Sequence, residues 1–297
     1  MSIDPNQLTI LDAGMGKTLS MRGVEIPSTI WSANALLTAP DVVVDIHKEN
    51  IAADANIITT NSYGVIRSDL AKVGQQDRTV ELNQLAGTLA QQAREESNAK
   101  VSIAGSLPPL NGSYRPDLVL DTAELLPLYR EQVAALVDFV DLFICETMSH
   151  SSEAVAAVTA ATESGKPVIV AFTLHDEEVG QLKSGERLEE VVFSLAKYDL
   201  AGTLVNCCLP ERITDAMPLL VEVGAPLRGG YGNAFTKIPR DWLLGGEKET
   251  DGRLQLRDDL DPERYSGFVS QWVKKGANIV GGCCGTTAEH TKAISRL

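Results

Sequence analysis

The sequence predicts an α/β fold of the (β/α)8 barrel class, and two features of the chain support this. Short apolar segments recur along the 297 residues, and each is followed by a stretch with helical patterning. Most of these segments are continuously apolar rather than alternating, as expected for parallel strands buried on both faces. The predicted strands span residues 9–13, 56–60, 101–105, 142–145, 167–172, 202–207, 226–230 and 277–281.

Helical patterns fill the intervals between the predicted strands. Asp121 is followed three residues later by Glu124, which is the pattern of a capping box at a helix start. Gly165 supplies a C-cap signal, and Pro262 suits the first turn of a helix. The predicted helices span residues 41–53, 75–96, 121–137, 151–164, 186–197, 211–223, 262–275 and 287–297.

Eight strands alternating with eight helices favour a barrel over the other candidate, an open doubly wound sheet of similar content. The spacing is regular and contains no linker or low-complexity segment, so we expect a single barrel domain over residues 1–297. The least regular stretch is 235–259, which is rich in charge and longer than a usual strand-to-helix connection. We expect it to form a lid or an edge excursion.

The composition argues against several classes of partner. The chain has 26 Lys and Arg against 40 Asp and Glu, a formal net charge of -14, which disfavours nucleic acid and anionic membrane surfaces. No segment is long and apolar enough to span a bilayer, and the first residues lack the features of a signal peptide. We therefore expect a cytoplasmic protein, whose oligomeric state the sequence does not indicate.

Polar and ligand-type side chains follow the ends of the predicted strands. In a barrel of this class, the carboxyl ends of the strands meet at one rim, where the chemistry takes place. The residues expected at that rim are Asp12, Asn61, Ser106, Glu146, His175, Cys207, Asn233, Cys283 and Cys284.

Four of the five cysteines form two adjacent pairs at predicted strand ends. Cys283 and Cys284 lie between glycines after one strand, and Cys207 and Cys208 end another. Three thiolates at one rim suit zinc and leave a coordination position open, although buried cysteines also act as small core residues. One member of the Cys207–Cys208 pair is enough for such a site, and Cys145 is expected in the core.

Asp12 and Glu146 are expected at the same rim. Each has a structural alternative, as a turn residue for Asp12 and a helix cap for Glu146. Together, and close to the thiols, the two carboxylates favour a site that binds an ammonium group.

The residues in several of these segments resemble one enzyme family. Asn206-Cys207 with Gly281-Gly282-Cys283-Cys284-Gly285 resembles the zinc signature of the homocysteine S-methyltransferases. The opening Leu11-Asp12-Ala13-Gly14-Met15-Gly16, the second-strand motif Ile58-Thr59-Thr60-Asn61-Ser62-Tyr63 and the segment Ile144-Cys145-Glu146-Thr147 are similar to segments of the same family. The resemblance runs from about residue 9 to the end of the chain and is weakest at 235–259.

The resemblance implies roles for individual residues. Cys207, Cys283 and Cys284 match three zinc ligands, with the thiolate of homocysteine in the fourth position. Asp12 and Glu146 match acidic residues that hold the ammonium group of the amino acid, and Asn61 is counted with the substrate-binding residues. The backbone at Ala13 matches the part that receives the carboxylate, although the family most often has glycine there.

We therefore predict a zinc-dependent methyltransferase that forms methionine from homocysteine and a small sulfonium or ammonium donor. S-methylmethionine is the favoured donor, because no segment remains for a separate cobalamin or folate module. No catalytic side chain is predicted beyond the metal site, and His175 is expected in a surface pair. The alternatives are a non-catalytic zinc or redox-sensing barrel, a phosphate-substrate barrel with incidental cysteines, and the same barrel with another thiol acceptor or with S-adenosylmethionine as donor.

Two further features have two interpretations each. The segment 106–116 is rich in proline and contains Tyr114 and Arg115, so it either shapes the donor pocket or forms a turn fixed by its prolines. Tyr63 is assigned either to the neighbourhood of the metal or to ordinary packing at the rim.

Overall fold

A computed structural model of the chain describes residues 4–239, 242 and 254–297, and eight parallel strands form its centre. The sheet has the order β1-β8-β7-β6-β5-β4-β3-β2, and a parallel bridge between Leu11 and Ile57 brings its two edges together. This confirms the predicted (β/α)8 barrel. The strands are β1 (Thr9–Ile10), β2 (Ile57–Thr59), β3 (Ser102–Leu107), β4 (Leu142–Met148), β5 (Val168–Phe172), β6 (Gly202–Asn206), β7 (Leu227–Gly232) and β8 (Ile279–Gly282).

Helices surround the strands. Eight of them correspond to the predicted helices, and three short ones, α1, α2 and α4, lie in the connections that follow β1 and β2. The helices in the described residues are α1 (Met15–Met21), α2 (Asn34–Thr38), α3 (Pro40–Ala52), α4 (Arg67–Ala71), α5 (Thr79–Glu96), α6 (Thr122–Leu136), α7 (Ser151–Glu163), α8 (Leu188–Ser194), α9 (Pro210–Val223), α10 (Pro262–Lys274) and α11 (Ala288–Ile294). None of the described helices is both long enough and apolar enough to cross a bilayer.

Alternation along the strands separates two apolar layers. In β4, Leu142 and Ile144 belong to the cluster inside the barrel, whereas Phe143 and Cys145 pack in the layer between the barrel and the helices. The fully buried position of Cys145 agrees with the core position expected from the sequence. The next inward position on β4 is Glu146, which lies at the carboxyl end of the strand, where the apolar filling stops.

Four strands, β3, β4, β7 and β8, extend further at their carboxyl ends than the sequence predicts. β3 continues to Leu107 and β4 to Met148, so Ser106 and Glu146 lie within strands rather than after them. The strand pairing between β4 and β5 shifts register between Cys145 and Met148, and Thr147 there has a left-handed φ of 62°. Such bulges occur beside active sites, where they redirect a side chain.

The predicted excursion at 235–259 is described in part. Phe235 pairs in antiparallel fashion with Leu256, and the Arg257 amide donates to the Ala234 carbonyl at 2.8 Å. The two ends of the stretch are therefore held together at the barrel mouth. Residues 240–241 and 243–253 of this stretch lie outside the described residues, so the predicted lid stays a prediction.

Candidate functional site

Three thiols meet at the carboxyl ends of β6 and β8. The Sγ atom of Cys207 lies 2.6 Å from that of Cys283 and 3.7 Å from that of Cys284. The three sulfurs all lie within 4.8 Å of one another, and each cysteine is free of a disulfide. Since β7 lies between β6 and β8, its backbone carbonyls hold the residues that follow both strands. Tyr231 O accepts from Cys207 N, and Gly232 O accepts from Cys283 N.

A left-handed residue allows Cys207 to reach the other two thiols. Its φ is 48°, a conformation that costs a residue with a Cβ about 1–2 kcal/mol. The preceding residue, Asn206, is held by Thr147. Its side chain accepts from Thr147 N and donates to Thr147 Oγ1, both at 2.9 Å. The backbone therefore turns sharply between two adjacent side chains that both have partners at the barrel mouth.

Cys208 points away from this cluster. It is fully buried and packs in the layer between the barrel and the helices, where burial raises the pKa of its thiol to about 12. Of the adjacent pair 207–208, the structure brings Cys207 and not Cys208 to Cys283 and Cys284.

The thiols share their protons unequally. Burial would raise the pKa of Cys207, but hydrogen bonds from Cys283, Cys284 and Tyr114 outweigh it and hold that pKa well below its usual range. Burial and hydrogen bonding to Cys207 raise the pKa of Cys283, and hydrogen bonding to Cys207 raises that of Cys284. A cation bound among the three sulfurs would displace the remaining protons.

Two buried carboxylates lie at the same mouth. Asp12 accepts from Thr59 N at 2.8 Å and from Thr59 Oγ1 at 3.0 Å. Glu146 accepts from Ser106 Oγ at 2.6 Å and from Tyr231 OH at 3.1 Å. These hydrogen bonds orient both carboxylates and leave acceptor capacity on each oxygen.

Neither carboxylate has a cationic partner among the described residues. Burial raises the pKa of Asp12 to about 7 despite the hydrogen bonds from Thr59, and the charge of Glu146 adds to the effect. Burial likewise raises the pKa of Glu146 to about 7, and the nearby Cys207 contributes in the same direction. Since an entering cation would favour the ionised form of both groups, the pair is suited to bind a positively charged ligand.

The thiols and the carboxylates face one cavity of about 450 Å³. Its lining is rich in aromatic side chains, and Lys17 is the one cationic residue among the lining residues that the structure describes. The aromatic residues of the lining are Trp31, Tyr63, Tyr114, Tyr231, Phe235 and Trp242.

The other predicted site residues divide into those at the cavity and those away from it. Asn61 lines the cavity and donates to the Ser32 carbonyl at 3.0 Å. Ala13 also lines it, and its amide donates to Asn50 Oδ1 at 3.0 Å. His175 does not belong to the lining, and it is buried at 8% exposure rather than in the surface pair expected from the sequence; its Nδ1 accepts from the amides of Glu177 and Glu178 within its own loop.

Sequence reasoning missed two tyrosines whose hydroxyls contact the central groups. Tyr231 donates to Glu146, and it was missed because the predicted seventh strand ends at 230, two residues before the observed end at Gly232. The inward alternation from Leu227 and Gly229 would have identified it. Tyr114 lies 3.0 Å from the Cys207 sulfur, and only its segment, 106–116, stood out in the sequence.

The family model of the homocysteine S-methyltransferases matches residues 9–297. The chain belongs to this family. The match confirms the family that the sequence motifs resemble, and with it the enzyme class, the methyltransferases. The matched range includes Asp12, Glu146 and all three clustered cysteines.

Individual relatives are similar over nearly their whole length. The chain is 28% identical to homocysteine S-methyltransferase from Escherichia coli K12, over 98% of this chain and 96% of the relative. It is 26% identical to selenocysteine methyltransferase from Astragalus bisulcatus, over 97% of this chain and 91% of that protein. The metallated form of homocysteine methyltransferase MmuM from Escherichia coli superposes with a TM-score of 0.80 at 25% identity, covering 98% of this chain and 96% of that one. A solved relative in a metallated form and a cluster of three thiols together suggest a metal ion at this site.

Proposed function

We propose that this protein is a zinc-dependent methyltransferase that transfers a methyl group from S-methylmethionine to the thiolate of homocysteine and forms methionine. The observation that carries the proposal is the placement of three thiols around one cavity with two buried carboxylates that have no cationic partner among the described residues. This combination matches an amino acid that has a sulfur at one end and an ammonium group at the other. Membership of the family supports the same acceptor.

The acceptor's charged end is assigned to Asp12 and Glu146. A buried ammonium group requires a charged partner, and both carboxylates lack one among the described residues. Thr59, Ser106 and Tyr231 hold the carboxylate oxygens in place before the substrate arrives. Because these hydrogen bonds exist already, little ordering remains for the binding step.

The cysteines fit a zinc ion. Thiolate sulfur is a preferred zinc ligand, and a catalytic zinc has three protein ligands and one open position. Tetrahedral bonds of about 2.3 Å place two sulfurs about 3.8 Å apart, close to the 3.7 Å between Cys207 and Cys284, whereas the 2.6 Å between Cys207 and Cys283 would widen on metal binding. When bound, the zinc would lower the pKa of the homocysteine thiol, so that its sulfur is present as a thiolate at neutral pH.

The donor side of the cavity suits a small cation that carries a carboxylate. Aromatic faces attract cations within about 6 Å of the ring centre, which favours a sulfonium group among the tryptophans and tyrosines of the lining. Lys17 supplies a positive charge at the same cavity for the donor's carboxylate. S-methylmethionine has both groups.

Positioning is the main task left to the protein in the transfer step. The bond between the donor's methyl carbon and its sulfonium sulfur breaks, its electron pair stays on the donor sulfur, and a bond forms between the methyl carbon and the homocysteine sulfur. The sulfonium and thiolate charges cancel, so no proton has to move and no general acid is required. Holding the two sulfurs and the methyl carbon in line supplies most of the acceleration.

A donor comparison at fixed homocysteine tests the proposal. Zinc-loaded protein is incubated with S-methylmethionine labelled in the methyl group, with a betaine, or with S-adenosylmethionine. S-methylmethionine should react fastest and give two methionines per turnover; when both S-methyl groups of the donor are labelled, each methionine should carry one labelled methyl group. Faster reaction with another donor would reject S-methylmethionine, and a protein that binds zinc but methylates no thiol with any donor would favour the non-catalytic alternative.

A further inference from the structure

The hydroxyl of Tyr114 lies 3.0 Å from Cys207 Sγ, within hydrogen-bond distance of one of the three clustered sulfurs. We propose that Tyr114 is a positioning residue that acts through Cys207: its hydroxyl donates a hydrogen bond to the metal-ligating sulfur and thereby sets how much negative charge Cys207 gives to the metal. The inference rests on the proposed metal site and adds a residue to it.

The chemistry fixes the direction of this hydrogen bond. A cysteine that binds a metal does so as a thiolate, which has no proton to donate. The Tyr114 hydroxyl is therefore the donor and the Cys207 sulfur the acceptor. Hydrogen bonds to ligand atoms orient metal ligands and tune the metal, and their loss is typically felt in metal affinity.

The backbone at Tyr114 is shaped for this contact. Tyr114 has a left-handed φ of 64°, an uncommon conformation for a residue with a bulky side chain. Such residues persist where the surrounding structure holds them, and they occur often at functional sites. The side chain is 5% exposed and belongs to the cluster that contains Cys207, Ile238 and Trp242.

Two neighbours restrain the Tyr114 ring. The ring of Trp242 packs against it with the centroids 5.6 Å apart and the planes at 59°. The Lys183 ammonium lies 5.8 Å from the centroid of the Tyr114 ring, within the range of a cation–π contact. The ring is thus held by partners from two other parts of the chain, and the hydroxyl has little freedom to leave the sulfur.

Lys183 is itself fixed by a buried ion pair. Its Nζ lies 2.9 Å from Asp176 Oδ2, and both side chains are less than 10% exposed. The same carboxylate oxygen accepts from the Ile238 amide at 3.0 Å, which ties the segment near Trp242 to the loop after β5. The Lys183–Asp176 ion pair therefore orients the ammonium group over the Tyr114 ring and also holds the segment at Ile238. Both effects support a positional role for Tyr114.

Loss of the hydroxyl should change the metal site in a defined direction. Without the hydrogen bond, the Cys207 thiolate keeps more electron density, so an electron is more easily transferred from sulfur to an oxidising metal ion. In cobalt-substituted protein, the thiolate-to-cobalt charge-transfer band should move to longer wavelength. Zinc affinity should fall by about tenfold or more, because Cys207 loses an orienting contact.

The test compares Tyr114→Phe with Tyr129→Phe as a matched control. Tyr129 is also buried, and its hydroxyl donates at 2.9 Å to the carbonyl of Pro108, which lies in the same segment, 106–116, as Tyr114. It makes no hydrogen bond to the three clustered sulfurs among the described contacts. Each protein is loaded with Co²⁺ for absorption spectra and titrated with zinc against a chelator. We expect a red-shifted band and weaker zinc binding for Tyr114→Phe, and wild-type values for Tyr129→Phe.

Each outcome is informative. A wild-type band and wild-type zinc affinity in Tyr114→Phe would reject the role of Tyr114 while leaving the metal site intact. Equal changes in both variants would assign the effect to general loss of packing and would also reject it. A wild-type protein without any thiolate-to-cobalt band would overturn the proposed metal site, and the role of Tyr114 with it.

Discussion

Replacing Glu146 with glutamine is expected to stabilise the substrate-free protein at alkaline pH while weakening its affinity for homocysteine. The Glu146 carboxylate is buried and accepts from Ser106 and Tyr231, but it has no cationic partner among the described residues. When ionised, it has lost hydration that the hydrogen bonds from Ser106 and Tyr231 replace only in part, until an ammonium group enters the cavity. Glutamine has the same shape and no charge.

The size of the stabilisation follows from the pKa. Burial raises the pKa of Glu146 from an ordinary value of 4.5 to about 7, and a difference of that size corresponds to about 3 kcal/mol. The folded protein holds this proton more tightly than the unfolded chain, so wild-type stability falls as the pH rises from about 4.5 to about 7. The variant should therefore exceed the wild type by up to about 3 kcal/mol above this range, and the advantage should vanish below it.

Two measurements separate stability from binding. Urea unfolding of reduced, metal-free protein at about pH 5 and about pH 8 gives the free energy of unfolding on both sides of the transition. Steady-state kinetics on the zinc-loaded protein gives the KM for homocysteine, which should rise about tenfold to hundredfold when a charged hydrogen bond is lost. An analogue of homocysteine without the amino group should show no such rise.

Glu153→Gln is the matched control. Burial raises the pKa of Glu153 to about 7 as well, but this carboxylate accepts from the backbone amides of Ser149 and His150 at the start of α7 and does not line the cavity. The control should share the pH dependence of stability and keep the wild-type KM. The same wild-type-to-variant difference in unfolding free energy at both pH values would refute the burial argument, and an unchanged KM in Glu146→Gln would refute the ammonium assignment.

Two further sets of substitutions test the metal site. Cys207→Ala, Cys283→Ala and Cys284→Ala should each weaken zinc binding by roughly a hundredfold, if the binding free energy of a four-ligand site divides into about 3 kcal/mol per ligand; Cys208→Ala should retain zinc, and equal metal content in all four proteins would contradict the ligand set. Gly14→Ala should also lower zinc affinity in a chelator competition, because the added Cβ would lie 2.5 Å from the Cys283 carbonyl oxygen and displace the backbone of the ligands. Gly267→Ala, whose Cβ would meet nothing within 4 Å, is the control, and matching affinities for the two alanine variants would show that the close approach at Gly14 does not matter.

The barrel and most of the rim could be predicted from the sequence because they depend on local patterns. Continuous apolar runs are typical of parallel strands, and the rim rule then identified Asp12, Glu146 and the cysteines without knowledge of any distance. The short helices α1, α2 and α4 were not predicted, because five to seven residues carry too few apolar positions to show a period and these three are additional to the one helix per strand by which the equally short α8 and α11 were placed.

The details at the centre of the site depend on backbone conformations that the sequence does not signal. The choice between Cys207 and Cys208 follows from a left-handed φ at Cys207, and a non-glycine residue gives no indication of one. The contact between Tyr114 and Cys207 depends on the same conformation at Tyr114 and on Trp242 and Lys183, which are distant in sequence.

The seam of the barrel has a consequence for the order of events during synthesis. β1 pairs with β8, with Thr9 opposite Ile279, and the Gly282 amide donates to the Asp12 carbonyl at 3.3 Å across the same seam. Asp12 is therefore among the first residues of the barrel to leave the ribosome, and Cys283 and Cys284 are among the last. A nascent chain holds a single one of the three clustered sulfurs until almost the whole barrel has been translated, so metal loading at the proposed site would be a late event that accompanies closure of the barrel.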